Sequence, residues 1–361
     1  MERVLFIMGN MGLGGAETHI MKVYRVINKD QYQFDFILNV PQKCYYEEEI
    51  NALGGVVYRV TPKSKSIFNN FKEIKNIVQD NNYKIVFKCG EQAMSWTEML
   101  AAKIGGAEKR IMRSTNSKGS SSMLNNLMHF ISRVPLRIFT TTKVAPSLLA
   151  GEWLFGKKGS KDLVLIKNGI DIRQYAYSNE SNFSARAKLN IPMNGTVVGH
   201  VGRFNEQKNH DFLIDIFNEY HKKNENSYLL LVGDGPLKSQ IQNKVKTLNL
   251  QNHVVFTGNR EDVYELYSVM DMFVFPSFYE GMPNTVIEAQ ANGLKCFVSD
   301  TITKEANITN NIEYLSLEKL NCWVDAITGN VERRTDVSGC FIRSGYDIDS
   351  VMKTYVQLFS S

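Results

Sequence analysis

Met272-Phe-Val-Phe-Pro276-Ser-Phe-Tyr-Glu280-Gly281-Met282-Pro283-Asn284-Thr285-Val-Ile-Glu288-Ala289 runs from a short β-rich segment through a turn into a helical one. The apolar run stops at a proline, Gly281 permits an unusual backbone angle in the turn, and Pro283 stands where a helix would begin. Two carboxylates lie eight positions apart, Glu280 in the turn and Glu288 in the first turns of the helix. In open parallel sheets ligands bind beyond the carboxyl ends of the strands, so a strand–turn–helix junction carrying acids is a candidate site. The N–H groups of Asn284 and Thr285 can face phosphate oxygens, and each carboxylate can accept hydrogen bonds from ligand hydroxyls. A helix start with a favourably placed acid is the plainer alternative.

Upstream, His200-Val-Gly202-Arg203-Phe-Asn-Glu-Gln-Lys208-Asn209 repeats the geometry with cations. A strand ends, a guanidinium follows at once, and an ammonium stands five residues later just before a helical run. Two fixed positive charges beside a strand end suit a dianionic leaving group. Near the amino terminus, Gly9-Asn-Met-Gly12-Leu-Gly14-Gly15-Ala16-Glu17 follows the first strand and opens a helix. Such glycines free backbone N–H groups to approach an anion. The spacing is not GxGxxG, and the second strand ends in Leu38-Asn39-Val40 without an acid to hold an adenosine ribose, which argues against a dinucleotide dehydrogenase.

Between these motifs, β-rich runs alternate with longer amphipathic ones. The runs at 3–8, 33–38, 56–60, 84–88, 109–113, 140–145 and 163–166 predict one α/β domain with a parallel sheet; after a polar, nearly structureless stretch at about 177–184, those at 196–202, 228–233, 253–257, 272–276 and 295–299 predict another. The expected boundaries are 1–177, 178–345 and a terminal amphipathic helix within 346–361. A length of 361 residues is comfortable for two cores.

Composition narrows the classes. Five scattered cysteines without a CxxC pair suggest neither a disulfide framework nor a zinc site, and fit a reducing cytoplasm. No apolar stretch approaches a bilayer span or a signal-peptide core, so neither secretion nor membrane insertion is expected. Residues 1–177 hold 25 Lys/Arg against 15 Asp/Glu, a net +10; the remainder holds 17 against 22, a net −5. A basic half attracts anionic lipid, nucleic acid or an anionic substrate; no nucleic-acid-binding pattern accompanies it, so no nucleic acid partner is expected.

Taken together, Gly14-Gly15-Ala16-Glu17, Gly202-Arg203 with Lys208, and Glu280 with Glu288 as E-x7-E resemble family 4 of the retaining glycosyltransferases, of GT-B architecture. The resemblance covers nearly the whole chain, including Asn168-Gly169-Ile170-Asp171, and the runs His200-Val-Gly-Arg-Phe-Asn, Gln207-Lys-Asn-His-Asp-Phe-Leu and Glu288-Ala-Gln look similar to bacterial capsule and exopolysaccharide members. It implies two Rossmann-like domains facing across a cleft, with the terminal helix packing back on the first. It further implies a nucleotide-sugar donor, UDP-linked before GDP-linked, no metal or other cofactor, and a polyprenyl-linked glycan acceptor at the inner face of the cytoplasmic membrane. Arg203 and Lys208 would hold the donor diphosphate, joined by Gly14 and Gly15. Glu288 would bind the ribose and Glu280 the sugar hydroxyls, with Gly281, Met282, Pro283, Asn284 and Thr285 lining the donor and Arg260 near the base. Glu17, Arg113 and Asn116 are expected on the acceptor side.

One departure stands out: relatives commonly carry a histidine after the fifth strand, where this chain reads Arg110-Ile-Met-Arg113-Ser-Thr115-Asn116. That gap leaves open a nucleotide-sugar-binding partner subunit with weakened catalysis, beside an epimerase or hydrolase on the same architecture. The stripe at 123, 124, 127, 128, 130, 131 and 134, flanked by Lys118, Arg133 and Arg137, suits a bilayer surface or a core-packed helix, with His129 an ordinary polar position on it. Asp347-Ile-Asp349, the lone DxD, reads as a helix cap and not a metal site.

Overall fold

The computed structural model describes residues 1–115, 123–280, 282–329 and 334–360. It divides into two compact units, Met1–Gly169 with Ile348–Ser361, and Ile170–Asp347. Each is a parallel sheet wrapped by helices.

The first unit holds β1 (Glu2–Ile7), β2 (Tyr32–Leu38), β3 (Val57–Arg59), β4 (Ile85–Gly90), β5 (Lys109–Ser114), β6 (Thr142–Ala145) and β7 (Val164–Leu165) in the order β3-β2-β1-β4-β5-β6-β7. Alternate residues of β1 feed different cores: Val4 and Phe6 pack with Phe34, Phe36 and Phe87, whereas Leu5 and Ile7 pack with Ile37, Val86 and Met112. Burial on both faces explains why these strands read as continuous apolar runs.

The terminal helix Ile348–Ser360 belongs to this unit, as expected. Tyr355 and Phe359 enter the Phe6–Phe34–Phe87 core, and the Tyr355 hydroxyl lies 2.9 Å from Nε2 of buried His19.

The second unit holds β8 (Thr196–Val201), β9 (Ser227–Val232), β10 (Val254–Gly258), β11 (Met272–Phe275), β12 (Lys295–Ser299) and β13 (Ile312–Leu315), ordered β10-β9-β8-β11-β12-β13. Both sheets therefore reverse direction beside their first strand, the Rossmann arrangement that opens a crevice at the strand ends. The sequence reading lacked β13, whose residues Ile312-Glu313-Tyr314-Leu315 are mostly half-buried at the sheet edge.

Three further differences have physical causes. The units divide at Gly169/Ile170, ahead of the expected 177/178, because Ile170 and Tyr175 pack into the second unit's core. The stretch read as nearly structureless runs into the helix Asn179–Lys188, capped by the Ser178 side chain; that helix buries little apolar surface, so hydrophobic periodicity does not mark it. Finally, the helix Met123–Phe139 is not core-packed along its stripe. Met123, Leu124, Leu127, Met128, Phe130, Ile131, Val134 and Ile138 are 41–88% exposed, while His129, Ser132 and Leu136 face inward. His129, expected as an ordinary polar position, is buried: its ring stacks on Trp153 at 4.3 Å and meets Trp153 O, the Ala93 N–H and Gln92 Oε1.

Candidate functional site

In the second unit, backbone contacts at the ends of β8, β9 and β11 bring the cationic and acidic motifs together. The chain after β8 lies against the chain after β9 so closely that a Cβ on Gly233 would fall 2.2 Å from the Gly202 carbonyl oxygen, at a φ of +134°. Only glycine fits there. Beyond Arg203, the Asn205 side chain accepts from the Lys208 N–H and caps a short turn, and Asn209, at φ 54°, swings the chain into the helix His210–Lys223. Lys208 is thereby aimed back across the sheet end.

Its Nζ donates to Glu280 Oε1 at 2.7 Å and lies 4.5 Å from the Phe275 ring centroid. The two side chains are 15% and 11% exposed. The Phe278 N–H donates to Gln207 O and the Gln207 amide to Tyr279 O, both at 2.9 Å, lashing the two loops together. Arg203 is exposed, and its guanidinium makes no ion pair with a described residue. An ion pair with a second cation five residues away on the same loop gives a place for an anion.

Glu288 is oriented from beneath. The buried Tyr267 hydroxyl donates to Glu288 Oε2 at 3.0 Å and lies 3.2 Å from Thr285 O. The helix Asn284–Ala291 begins after Pro283, which is buried; Met282 packs half-buried, with its sulfur 3.5 Å from the Tyr346 hydroxyl. Thr285 Oγ1 and Ser277 Oγ are buried without a hydrogen-bond partner, polar atoms of the kind that a ligand or water satisfies. Gly281 lies outside the described residues. Arg260 is held by Asp262 through bonds of 2.7 and 2.5 Å, so a contact with a base would compete with this pair.

His200 was not assigned a role from sequence. Its Nδ1 donates to Val274 O at 2.8 Å, and its buried Nε2 has no partner. A Cβ on Gly202 would meet that Nε2 at 2.9 Å and Lys208 Cδ at 3.2 Å, so the imidazole and the lysine stem flank the same glycine. Burial, the neighbouring His210 and Lys208 hold His200 well below the ordinary histidine pKa; burial and Lys208 bring His210 to about 4. Both rings are neutral at pH 7.

In the first unit, exposed Gly14 precedes the helix Gly15–Val26 in an extended conformation, and Glu17 folds back over it. A Cβ on Gly14 would sit 2.2 Å from Glu17 Oε2. Burial raises the Glu17 pKa. Arg113 is 2% exposed, and its guanidinium donates to Ile166 O at 3.0 Å and Asn168 Oδ1 at 2.7 Å. Those bonds make it a strut between β5 and the segment after β7 and leave it little surface for an acceptor. Asn116 lies outside the described residues. Among the described residues no group of three or more His, Cys, Asp or Glu side chains is placed to hold a metal.

Residues 181–314 match the family described as glycosyl transferases group 1. EpsF of Bacillus subtilis (strain 168), named as a glycosyltransferase, is 31% identical over 357 residues, covering 96% of this chain and 93% of EpsF. An Escherichia coli UDP-Gal:alpha-D-GlcNAc-diphosphoundecaprenol alpha-1,3-galactosyltransferase is 28% identical over 168 residues, 45% of this chain and 43% of that enzyme. Among solved structures, Anabaena HepE in complex with UDP and glucose superposes with a TM-score of 0.78 at 19% identity, covering 100% of both chains, which shows the shared GT-B fold. With a near full-length relative and a matched domain spanning the E-x7-E junction, the chain belongs to the glycosyl transferases group 1 family and is a glycosyltransferase.

Proposed function

We propose that this chain is a retaining, metal-independent transferase of family 4. In this reading it moves a sugar from a UDP-sugar, with a GDP-sugar as the alternative donor, to a polyprenyl-linked glycan in capsule, exopolysaccharide or related cell-surface polymer synthesis. The observation that carries it is the Lys208–Glu280 pair at 2.7 Å, with Arg203 on the same loop as Lys208 and a helix start at Asn284. Cleavage of an anomeric bond leaves positive charge on the sugar and negative charge on the diphosphate. Cations fixed beforehand at the leaving group stabilise that state more than the bonded substrate, which is why no metal is invoked.

Glu280 has one oxygen engaged by Lys208, leaving the other to accept from a sugar hydroxyl, and Glu288, steadied by Tyr267, suits the ribose. The reading thus spends both carboxylates on hydroxyl groups and none as a covalent nucleophile. Attack from the face that the diphosphate leaves follows, with retention at the anomeric carbon. A lipid-linked acceptor is supported by the diphosphoundecaprenol named for the E. coli relative.

A peripheral position on the inner face of the cytoplasmic membrane is supported by the exposed apolar stripe of Met123–Phe139. Residues 123–161 also hold six Lys/Arg against a single acid, Glu152, a balance that attracts anionic lipid. Among the described residues no helix is long and apolar enough to cross a membrane.

The deciding experiment measures nucleoside diphosphate release from a panel of UDP- and GDP-sugars, with and without a polyprenyl-linked glycan, in EDTA. Release that requires acceptor and survives EDTA supports the proposal. Turnover without acceptor would replace it by a hydrolase or epimerase, and an inverted product by NMR would remove retention.

A further inference from the structure

The first unit carries a charge cluster that the donor chemistry does not use. Lys88 lies near the carboxyl end of β4, in register with Ile7 of β1 on one side and Met112 of β5 on the other. Its side chain therefore shares the sheet face of Leu5, Ile7, Val86 and Met112, and the residue is 6% exposed. The ammonium makes no hydrogen bond to a described residue. Its nearest carboxylate oxygen, Glu98 Oε1, is 3.9 Å away.

Glu98, only 3% exposed, is already engaged: Lys63 Nζ donates to its Oε2, and the Thr97 hydroxyl donates to the same oxygen at 3.2 Å. Lys63 also donates to Met94 O at 3.0 Å. Two ammonium groups thus share one carboxylate, which leaves the cluster with one positive charge in excess among the described residues. Burial outweighs Glu98 at Lys63 and lowers its pKa, as expected where negative charge is short. An uncompensated buried charge is costly.

Position gives a second, independent pointer. The sheet order β3-β2-β1-β4-β5-β6-β7 reverses between β1 and β4, and ligands of open α/β sheets enter at that switch point, beyond the strand ends. Lys88 pairs with the last residue of β1, on this seam. Both cations are ammonium point charges, without the planar fork that arginine offers a carboxylate, and they suit tetrahedral phosphoryl oxygens.

We infer that Lys88 and Lys63 form an anion site at the switch point of the first unit, which takes a phosphoryl group of the acceptor substrate. This rests on reading the first unit as the acceptor-binding one, but the test of anion binding does not depend on transfer. In an Arg203→Ala/Lys208→Met background, which removes the two cations of the candidate site in the second unit, calorimetric titration with inorganic pyrophosphate should show saturable binding. Adding Lys88→Met should weaken that binding roughly tenfold to a hundredfold, the scale of one charge-assisted contact. The same variant should melt no lower than its parent without anion, because it removes the more distant of two buried cations that share one carboxylate; Lys63→Met gives a second variant should it fail to fold. No binding in the background, or binding indifferent to Lys88 and Lys63, overturns the inference.

Kinetics then separate acceptor phosphate from free phosphate. With the donor site intact, KM for a glycosyl-phosphate acceptor should lie at least tenfold below that for the same glycan as a neutral alkyl glycoside, and Lys88→Met should close the gap. Equal KM values in the unmodified protein overturn the acceptor assignment. Pyrophosphate binding through Lys88 in a protein that transfers to no acceptor would sink the transferase reading and leave the anion site standing.

Discussion

Replacing Lys208 by methionine separates its two contributions. Methionine keeps an unbranched stem over the Phe275 ring but removes the ammonium that donates to Glu280 at 2.7 Å. The partners are 15% and 11% exposed, neither fully buried nor well solvated. Orphaning one member of a fully buried pair costs about 3–5 kcal/mol, and residual solvation here reduces the expected loss of stability to about 2 kcal/mol. Loss of a preorganised charge at a developing diphosphate should lower kcat by roughly tenfold to a thousandfold. Denaturant titration gives the first quantity, steady-state nucleoside diphosphate release the second, and calorimetry the affinity for the free diphosphate. The control is Glu280→Gln, which should lose turnover while keeping diphosphate affinity within about threefold, because it leaves Lys208 in place. If Lys208→Met binds nucleoside diphosphate normally and turns over within a factor of two of the parent, the assignment of Lys208 to the leaving group is wrong.

Acid should weaken the second unit. His210 is neutral with a pKa of about 4 in the fold against 6.5 ordinarily, so its contribution is complete above 6.5 and lost as pH falls from 6.5 toward 4, about 3 kcal/mol in all. His210→Phe, stacking on Phe204 as the imidazole does, should flatten that part of the stability–pH curve; an unchanged slope would refute the cause. Gly233→Ala drives a Cβ into the Gly202 carbonyl at 2.2 Å and at positive φ, and should abolish soluble expression or cost several kcal/mol by thermal melting. Tyr355→Phe, which orphans buried His19 Nε2, should cost about 1–3 kcal/mol in the first unit. Tyr355→Ala should cost about 3–5 kcal/mol; a melting temperature unmoved by either would mean that the terminal helix does not stabilise this unit. Leu127→Glu with Ile131→Glu should reduce sedimentation with anionic vesicles at least about tenfold without altering melting, since both side chains are exposed.

Much of the candidate site was legible because its signals are local. Gly202, Arg203 and Lys208 lie within seven residues, and Glu280 to Glu288 within nine; each group sits on a strand–turn–helix junction whose geometry is set by glycine, proline and hydrophobic periodicity. The parallel sheets were legible for the same reason, since strands buried on both faces write themselves as apolar runs. What escaped was set by burial and by distant partners. The helix Asn179–Lys188 shows little apolar period, and nothing near Arg113 in sequence announces that Ile166 and Asn168 claim its guanidinium.

By itself, then, the chain's order of residues determined two α/β units, the identity of the charged groups at their strand ends, and that the chain is a glycosyltransferase. Only the tertiary structure decided which of those charges are already paired. Lys208 meets Glu280 across 72 positions, Lys63 reaches Glu98 across 35, and Lys88 is left beside a carboxylate already taken. The same holds for the stripe of Met123–Phe139, whose periodicity is equally compatible with core and surface until His129, Ser132 and Leu136 are seen to face inward. Pairing and exposure depend on which segments the fold brings together, and sequence separation carries no distance once the chain has folded back on itself.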